Sequence, residues 1–364
     1  MTVTAPRKII INGLFLSRRL TGMERTAREL VREMDALVDD CYTPLELAVP
    51  WDAVDDLHLR NISIRVVGSR TGTAWEQTSL ARYVLRERGW CLSICSTAPL
   101  FCKGGVFIHD IAYLQHPEWF TSLYSRLSAA WHRVNYAYAA RRADVLYTVS
   151  EWSKEQICAC LGVDSQKVVV VPNGWQHILH VKEDEGAARL HPELLERPFF
   201  FTLCSLAPNK NLPWVVGAAK RNPDTLFVVA GNLNKVAYGE RFKDELPGNM
   251  LLLGYVSDGE SRWLMGHCRA FLFPSLYEGF GIPPLEALSC GAAVVVSHAT
   301  ALPEVLGDAV HYVDPEAAIP DLDEILAEPV GDAGAVLSRY SYSKAAEVVC
   351  RSLEDRGLLR RKVV

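Results

Sequence analysis

No stretch of this 364-residue sequence is apolar for the roughly 18 consecutive residues that a membrane-spanning helix requires. The short apolar stretch at residues 9–16 is interrupted by Asn12 and Gly13. Two arginines follow it, where a signal peptide would have the small residues of a cleavage site. We therefore expect a cytoplasmic protein, either free or associated with the inner face of a membrane.

Three motifs that would indicate bound groups are also missing. The ten cysteines include no Cys-x-x-Cys pair, which argues against a zinc site and favours reduced, buried thiols. No Gly-x-Gly-x-x-Gly follows a predicted strand, which argues against a nicotinamide dehydrogenase. The single Asp-x-Asp, residues 321–323, follows no apolar strand. We expect neither a metal nor an organic cofactor.

Charge of one sign does not dominate the sequence. The net charge is −5, from 38 Lys and Arg against 43 Asp and Glu, and it indicates no nucleic-acid partner. The first 175 residues have 20 basic and 18 acidic side chains, whereas the remainder has 18 and 25. The first half is therefore the better candidate for contact with an anionic partner.

Thirteen short apolar runs alternate with longer segments of helical periodicity. In chain order they are KIII, LELAV, ISIRVV, CLSI, GVFIH, VLYTV, VVVVP, PFFFTL, DTLFVVAG, NMLLLGY, RAFLFP, GAAVVVS and AVHYV. Most are continuously apolar, as in parallel strands that are buried on both faces. One amphipathic segment begins after Gly22, with apolar residues at 23, 27, 30, 31, 34, 37 and 38. The alternation predicts a doubly wound α/β fold.

The chain length predicts two domains. A polar, acidic stretch separates two apolar patterns near residues 172–198. We place an N-terminal Rossmann-like domain at 1–178 and a second at 179–345. A C-terminal helix over 346–364 follows, and packing against the first domain is one arrangement open to it.

The most informative segment is FPSLYEGFGIPPLEALSCGAAVVVS, residues 273–297. An apolar strand leads into a glycine-rich turn, and Pro283 and Pro284 suit the first turn of the helix that follows. A loop of this kind presents backbone N–H groups and a helix N-terminus at the carboxyl end of a strand. Doubly wound folds bind phosphate groups there.

Two carboxylates, Glu278 and Glu286, lie eight residues apart across this loop. Acids beside a phosphate site would repel the anion, so their functional use would be to accept hydrogen bonds from the hydroxyls of a sugar or ribose. They can equally be a turn acid and an acid favoured by the helix dipole. The spacing alone leaves both interpretations open.

A second signal is basic and aromatic. Residues 119–143 contain four arginines, two tryptophans, three tyrosines and no acid. A cationic helix with aromatic anchors can lie in a membrane interface. It can also be an ordinary helix that covers the sheet with its aromatic side chains inward.

Several motifs recur in the order found in one enzyme family. They are LTGMERTAREL (20–30), IHDIAYLQHPEWF (108–120), TVSEWSK (148–154), VPNGW (171–175), LAPNKNL (206–212), the Glu-x7-Glu segment with its Gly-Phe-Gly turn, and ALPEVLGDAVHYVDP (301–315). Together they resemble the retaining glycosyltransferases of family 4. The resemblance implies the GT-B architecture, in which two Rossmann-like domains face a central cleft.

The resemblance also implies roles for individual residues. Glu286 would hold the ribose of a nucleotide-sugar donor, and Glu278 would hold the transferred sugar together with the backbone at Gly279, Phe280 and Gly281. Lys210 would contact the diphosphate. The implied catalytic residues are His109, Lys210 and Glu278; the remaining donor-binding residues are Gly22, Asp110, Ser205 and Asn209. Many relatives have an arginine ahead of the lysine, but its candidate positions here are Cys204, Ser205 and Asn209, none of them cationic.

The implied activity is transfer of a hexose or deoxyhexose, of mannose, rhamnose or glucose type, from a nucleoside diphosphate sugar. The acceptor would be a saccharide or lipid-linked saccharide in cell-surface polysaccharide assembly. His109 would reach across the cleft to the reacting centre, without a metal in a central role. A nucleotide-sugar epimerase of the same architecture and a non-catalytic sugar-binding relative remain alternatives.

Overall fold

The fold is described from a computed structural model that covers residues 8–39, 42–231 and 246–361. Residues 1–7 of the predicted N-terminal domain and residues 362–364 of the predicted C-terminal helix lie outside these ranges. Internal contacts divide the chain into two compact units. The first comprises residues 1–174 and 341–364, and the second comprises residues 175–340.

A parallel sheet of seven strands forms the centre of the first unit. The strands are β1 (Ile9–Asn12), β2 (Leu45–Val49), β3 (Ser63–Val66), β4 (Trp90–Ser93), β5 (Gly104–Phe107), β6 (Val145–Thr148) and β7 (Val168–Val170). Their order is β3-β2-β1-β4-β5-β6-β7. β3 lies at an edge, and its residues are mostly exposed, whereas β1, β2, β4, β5 and β6 are buried throughout.

The second unit has the same kind of sheet. Its described strands are β8 (Phe199–Leu203), β9 (Leu226–Ala230), β10 (Met250–Gly254), β11 (Ala270–Phe273), β12 (Val294–Ser297) and β13 (His311–Val313), in the order β10-β9-β8-β11-β12-β13. All neighbouring strands in both sheets are parallel. The thirteen predicted strands and the doubly wound α/β fold are confirmed, and most of the continuous apolar runs form buried parallel strands, although β10, at an edge of the sheet, is largely half-buried.

Helices connect the strands in both units. In chain order the described α-helices are α1 (Gly22–Leu37), α2 (Gly72–Ala74), α3 (Ala81–Glu87), α4 (Ala112–Gln115), α5 (Leu123–Arg142), α6 (Glu151–Leu161), α7 (Gly186–Leu190), α8 (Glu193–Glu196), α9 (Leu212–Arg221), α10 (Asp258–His267), α11 (Ile282–Ser289), α12 (Leu302–Leu306), α13 (Leu322–Ala327), α14 (Ala333–Leu337) and α15 (Tyr342–Asp355). Among these residues, no helix combines the length and the apolar composition needed to cross a bilayer.

The amphipathic pattern after Gly22 forms α1 as predicted, except that Met23 is half-buried and Leu37 is exposed. Ala27, Leu30, Val31 and Met34 are buried, but Leu37 is 38% exposed. Leu37 is the last helical residue, and Val38, which directly follows the helix, is buried as predicted.

Capping residues fix two helix starts in the second unit. Ser257 and Glu260 form the reciprocal hydrogen bonds of a capping box at α10. Asp321 caps α13, and its carboxylate accepts the backbone N–H groups of Asp323 and Glu324. The Asp321-Leu322-Asp323 motif therefore begins a helix. Asp323 itself is paired with Arg269, at 2.5 Å between Oδ1 and Nη2.

The C-terminal helix α15 belongs to the first unit. Its residues Val349 and Leu353 are fully buried in the same apolar cluster as Leu30 of α1. Tyr147 of β6 donates a hydrogen bond to the Ser352 hydroxyl, with 3.2 Å between the oxygens. The final helix therefore completes a core whose other elements come from the beginning of the chain.

The cysteines show no pairing within the described ranges. All nine cysteines there are free thiols, and Cys41 lies outside those ranges. Several are buried, as predicted, but Cys160 is exposed.

Candidate functional site

The loops after β8 and β11 meet at the centre of the second sheet. From β8 the chain proceeds towards β9, whereas β11 leads towards β12 on the opposite side, so the strand order reverses between them. Backbone Leu276 donates to the carbonyl of Asn209 at 2.7 Å, and the Asn209 amide donates to the carbonyl of Tyr277 at 3.2 Å. Ligands of doubly wound sheets bind at such a reversal, outside the carboxyl ends of the strands.

Lys210 and Glu278 form an ion pair between these two loops. Lys210 Nζ lies 2.6 Å from Glu278 Oε1, and the lysine nitrogen also lies 5.1 Å from the centre of the Phe273 ring. Both side chains are mostly buried, and the backbone of Glu278 is held by the Thr300 hydroxyl at 3.1 Å. The structure therefore joins two predicted site residues that are 68 positions apart.

The loop after β8 carries little positive charge. Lys210 is its single cationic residue between positions 204 and 211. Ser205 accepts a hydrogen bond from the backbone of Ala207 at 3.3 Å. Burial raises the pKa of the Cys204 thiol to about 12, so this side chain is neutral at physiological pH. None of these residues supplies the second cation that the family resemblance predicts ahead of the lysine.

The turn at 279–281 brings the chain into α11. Gly281 has a φ of +98°, which favours glycine, and a Cβ there would lie 2.6 Å from a methyl carbon of Leu302. Pro283 and Pro284 occupy the first turn as predicted, so neither contributes an N–H to a ligand. Phe280 is buried against Tyr340, with 5.3 Å between ring centres. Its side chain therefore belongs to the core, and only its backbone can serve a ligand at this turn.

Glu286, on α11, is in contact with a histidine that the sequence analysis did not select. His177 Nε2 lies 2.6 Å from Glu286 Oε1, and the two side chains are 4% and 12% exposed. His177 belongs to a 3-10 turn, Gln176–His180, that directly follows the VPNGW motif. No local pattern predicts this contact, because its two partners are 109 residues apart.

His109 follows β5 in the first unit. Its Nε2 lies 2.7 Å from the carbonyl oxygen of Ile94, at the end of the neighbouring strand β4. Because a carbonyl can only accept, Nε2 carries the hydrogen and Nδ1 is the acceptor nitrogen of the neutral ring. Burial lowers the pKa of His109, which favours this neutral form at physiological pH.

Asp110 and Gly22 belong to the same unit, but only Asp110 makes a local hydrogen bond that explains its residue type. The Asp110 carboxylate accepts the backbone N–H of Ala112 at 2.9 Å and so orients the entry into α4. Gly22 is the first residue of α1, and a Cβ there would meet no atom within 4 Å outside its immediate chain neighbourhood. The local structure does not require glycine at this position.

The predicted residues are therefore distributed over both units. Gly22, His109 and Asp110 belong to the first, and the others belong to the second. In the second unit, the structure joins Lys210 to Glu278 and links Asn209 to the loop that carries Glu278. Their roles towards a ligand remain predictions.

Two family descriptions match the sequence. Residues 97–176 match "Glycosyltransferase Family 4", and residues 188–346 match "Glycosyl transferases group 1". Together these ranges cover well over half of the chain and contain all the predicted site residues except Gly22.

The curated relatives include glycosyltransferases of surface polysaccharides. The O-antigen chain mannosyltransferase RfbU of Salmonella typhimurium is 25% identical over 74% of this chain and 75% of its own length. The O-antigen chain mannosyltransferase B of Escherichia coli is 30% identical over 51% of this chain and 50% of its own length. The match thus spans three quarters of the first relative and half of the second.

Solved structures agree in fold. HepE of Anabaena, crystallised with UDP and glucose, superimposes with a TM-score of 0.66 at 16% identity, covering 96% of this chain and 99% of HepE. At that identity the likeness concerns the fold alone. From the two family matches and this fold, the chain belongs to the family 4 glycosyltransferases and has the GT-B fold.

Proposed function

We propose that this glycosyltransferase transfers a hexose or deoxyhexose from a nucleoside diphosphate sugar to a saccharide or a lipid-linked saccharide. The observation that carries the proposal is the ion pair between Lys210 and Glu278, at the strand-order reversal of the second sheet. A cation beside a carboxylate suits a donor that presents a diphosphate next to sugar hydroxyls. Glu286, on helix α11 after the loop that carries Glu278, is assigned to the ribose.

In the proposed reaction the bond between the sugar and the diphosphate breaks, and its electron pair passes to the departing diphosphate. Lys210 stabilises that charge. The acceptor hydroxyl attacks the sugar carbon and releases its proton to the leaving phosphate oxygen. His109 contacts the donor sugar with a neutral ring. We propose retention of configuration by this front-face route, as the family resemblance implies.

Mannose is our first candidate among the hexoses, because two relatives are named as O-antigen chain mannosyltransferases. Rhamnose and glucose are tested beside it. The same names support a role in the assembly of a cell-surface polysaccharide.

The direct test is a panel of GDP-mannose, UDP-glucose and dTDP-rhamnose, each with and without saccharide and polyprenyl-linked acceptors. A transferase releases the nucleoside diphosphate in step with a glycosylated acceptor, and nuclear magnetic resonance gives the anomeric configuration. An epimerase would instead produce an altered nucleotide sugar without acceptor. Donor binding alone can be detected by thermal shift, because a ligand at 100 times its Kd adds about 2.7 kcal/mol of stability.

Transfer is expected to persist in excess EDTA with at most a modest loss of rate. The motif that most resembles a metal site, at residues 321–323, serves as a helix cap and an ion pair. Lys210 is the proposed charge partner of the leaving diphosphate. Initial rates with and without chelator, followed by addition of Mn²⁺ or Mg²⁺, check this. Complete loss of transfer that only a metal restores would contradict it.

We further propose that the N-terminal end of α5 contacts an anionic membrane. Leu123, Tyr124 and Leu127 are 75%, 84% and 63% exposed, beside the exposed Arg126. Leu123, Arg126 and Leu127 border a groove of about 570 Å³ that Phe120 also lines. The other half of the helix covers the sheet, as Tyr136 is buried. The membrane interpretation of residues 119–143 thus fits the N-terminal end of α5, and the interpretation as a helix that covers the sheet fits its C-terminal half.

Replacing Leu123, Tyr124 and Leu127 with serine is expected to abolish sedimentation with phosphatidylglycerol vesicles, because it removes the apolar contact. Replacing Arg126 with glutamine should weaken binding by about 1 kcal/mol and reduce its salt dependence. The control is Leu85→Ser, which changes a 58% exposed leucine elsewhere in the same unit. Unchanged vesicle binding by the triple variant would show that this end of the helix is not the contact.

A further inference from the structure

The contact between His177 and Glu286 has no part in the mechanism above. We propose that His177 is a positioning residue, which holds the Glu286 carboxylate in the orientation that recognises the ribose 2′-hydroxyl of the donor. This inference rests on the proposed role of Glu286. It also predicts a ribonucleotide donor in preference to a deoxyribonucleotide one.

The turn that carries His177 is fixed by contacts within the second unit. The Gln176 amide donates to the carbonyl of Tyr340 at 2.8 Å, and the Trp175 indole donates to the carbonyl of Leu337 at 3.0 Å. Arg262 donates to carbonyls of the same turn, including that of Ile178 at 3.2 Å. The imidazole is therefore presented to Glu286 from a turn anchored on both sides.

The chemistry of the pair explains what the histidine supplies. An ionised carboxylate can only accept hydrogen bonds, so Nε2 of His177 carries the hydrogen that Glu286 Oε1 accepts. A carboxylate has about four acceptor positions on two oxygens, and the imidazole uses one of them. The carboxylate thereby keeps acceptor capacity for ribose hydroxyls while its orientation is fixed.

Fixing this orientation before the donor arrives should increase affinity. A glutamate side chain loses rotational freedom when it binds a ligand, and a group that is already held loses less. The effect should appear in the donor affinity and in the preference for ribose over 2′-deoxyribose. It should not appear in kcat, because the ribose interacts similarly before and during bond cleavage.

Three substitutions separate the donor function of His177 from its bulk. His177→Phe keeps a ring but removes the donor, whereas His177→Gln retains an amide donor near the position of Nε2. His177→Asn retains an amide that is one methylene shorter. The matched control is His180→Phe, which makes the same change at an exposed histidine of the same turn.

The experiment measures the affinities of UDP, GDP, dUDP and dGDP by titration calorimetry, together with donor KM and kcat. The wild-type protein should bind the better ribonucleotide at least tenfold more tightly than its 2′-deoxy counterpart. His177→Phe and His177→Asn should lose most of this preference and raise the donor KM about tenfold, with kcat within twofold of wild type. His177→Gln and His180→Phe should keep the preference.

The outcomes distinguish failure of the inference from failure of the proposed function. If Glu286→Gln loses the ribose preference but His177→Phe and His177→Asn keep it, His177 has no positioning role and the ribose assignment stands. If Glu286→Gln keeps the preference, or if wild-type protein binds dUDP and dGDP as tightly as UDP and GDP, the ribose assignment itself is wrong. Should His177→Phe not fold, the contrast between His177→Gln and His177→Asn decides.

Discussion

Replacing Lys210 with alanine is expected to lower kcat by about 10²- to 10³-fold, the effect of losing one preorganised group that stabilises developing charge. The donor KM should rise as well, because the diphosphate is already charged before the bond breaks. The ion pair adds a second consequence. Without the lysine, the carboxylate of Glu278, which is 14% exposed, faces the donor diphosphate with its charge uncompensated.

The repulsion can be measured separately. Glu278→Gln removes the negative charge, so in the Lys210→Ala background it should restore part of the donor affinity without restoring kcat. Lys220→Ala, at an exposed lysine of α9, is the control and should behave as wild type. Steady-state kinetics and donor titrations on the four proteins check this. Wild-type kcat in Lys210→Ala would remove the lysine from the proposed chemistry.

Replacing His109 with alanine is expected to lower kcat by at least about 10²-fold, equivalent to roughly 2.7 kcal/mol, with a smaller change in donor KM. The proposed reason is that His109 contacts the sugar where charge develops during cleavage. His109→Gln keeps an amide that can donate to the carbonyl of Ile94 and so tests whether the hydrogen bond alone suffices. If His109→Ala had wild-type kcat and only weaker donor binding, the residue would not be catalytic.

The pH profile gives a second readout of His109. Burial lowers its pKa below the ordinary histidine value of about 6.5, so the ring is neutral above that range. Activity that requires the neutral ring should fall as the pH drops through this lowered pKa. The acidic limb of kcat should be absent from the residual activity of His109→Gln. Because its folded-state pKa is lowered, His109 also contributes stability that is present above about pH 6.5 and lost as the pH falls.

The sequence predicted the strands better than the contacts between loops. A strand such as Phe199–Leu203 is recognisable because each of its residues is apolar, and that information is local. The capping box at Ser257 and the prolines in the first turn of α11 are local in the same way. Strand order in the second sheet, by contrast, depends on how the whole unit packs, and it decides which loops become neighbours.

In the candidate site, too, the motifs could be recognised locally, whereas the contacts between them depend on the fold. Family resemblance selected Lys210, Glu278 and Glu286 from their motifs, but it assigned the first two to different parts of the donor and did not anticipate their ion pair. His177 carried no signal, since one histidine after a motif resembles any other polar residue of a turn. Its contact with Glu286 depends on the fold of the 3-10 turn against α11.

The position of α15 has a consequence for biosynthesis. The apolar face of α1, including Leu30, is buried together with Val349 and Leu353, yet more than 300 residues are translated between these segments. Residues 175–340 are all synthesised before α15. The second unit is therefore synthesised in full before the first can complete its core, and until then the growing chain exposes apolar surface of the kind that favours aggregation. A premature stop codon after position 340 would thus damage the domain that is translated first.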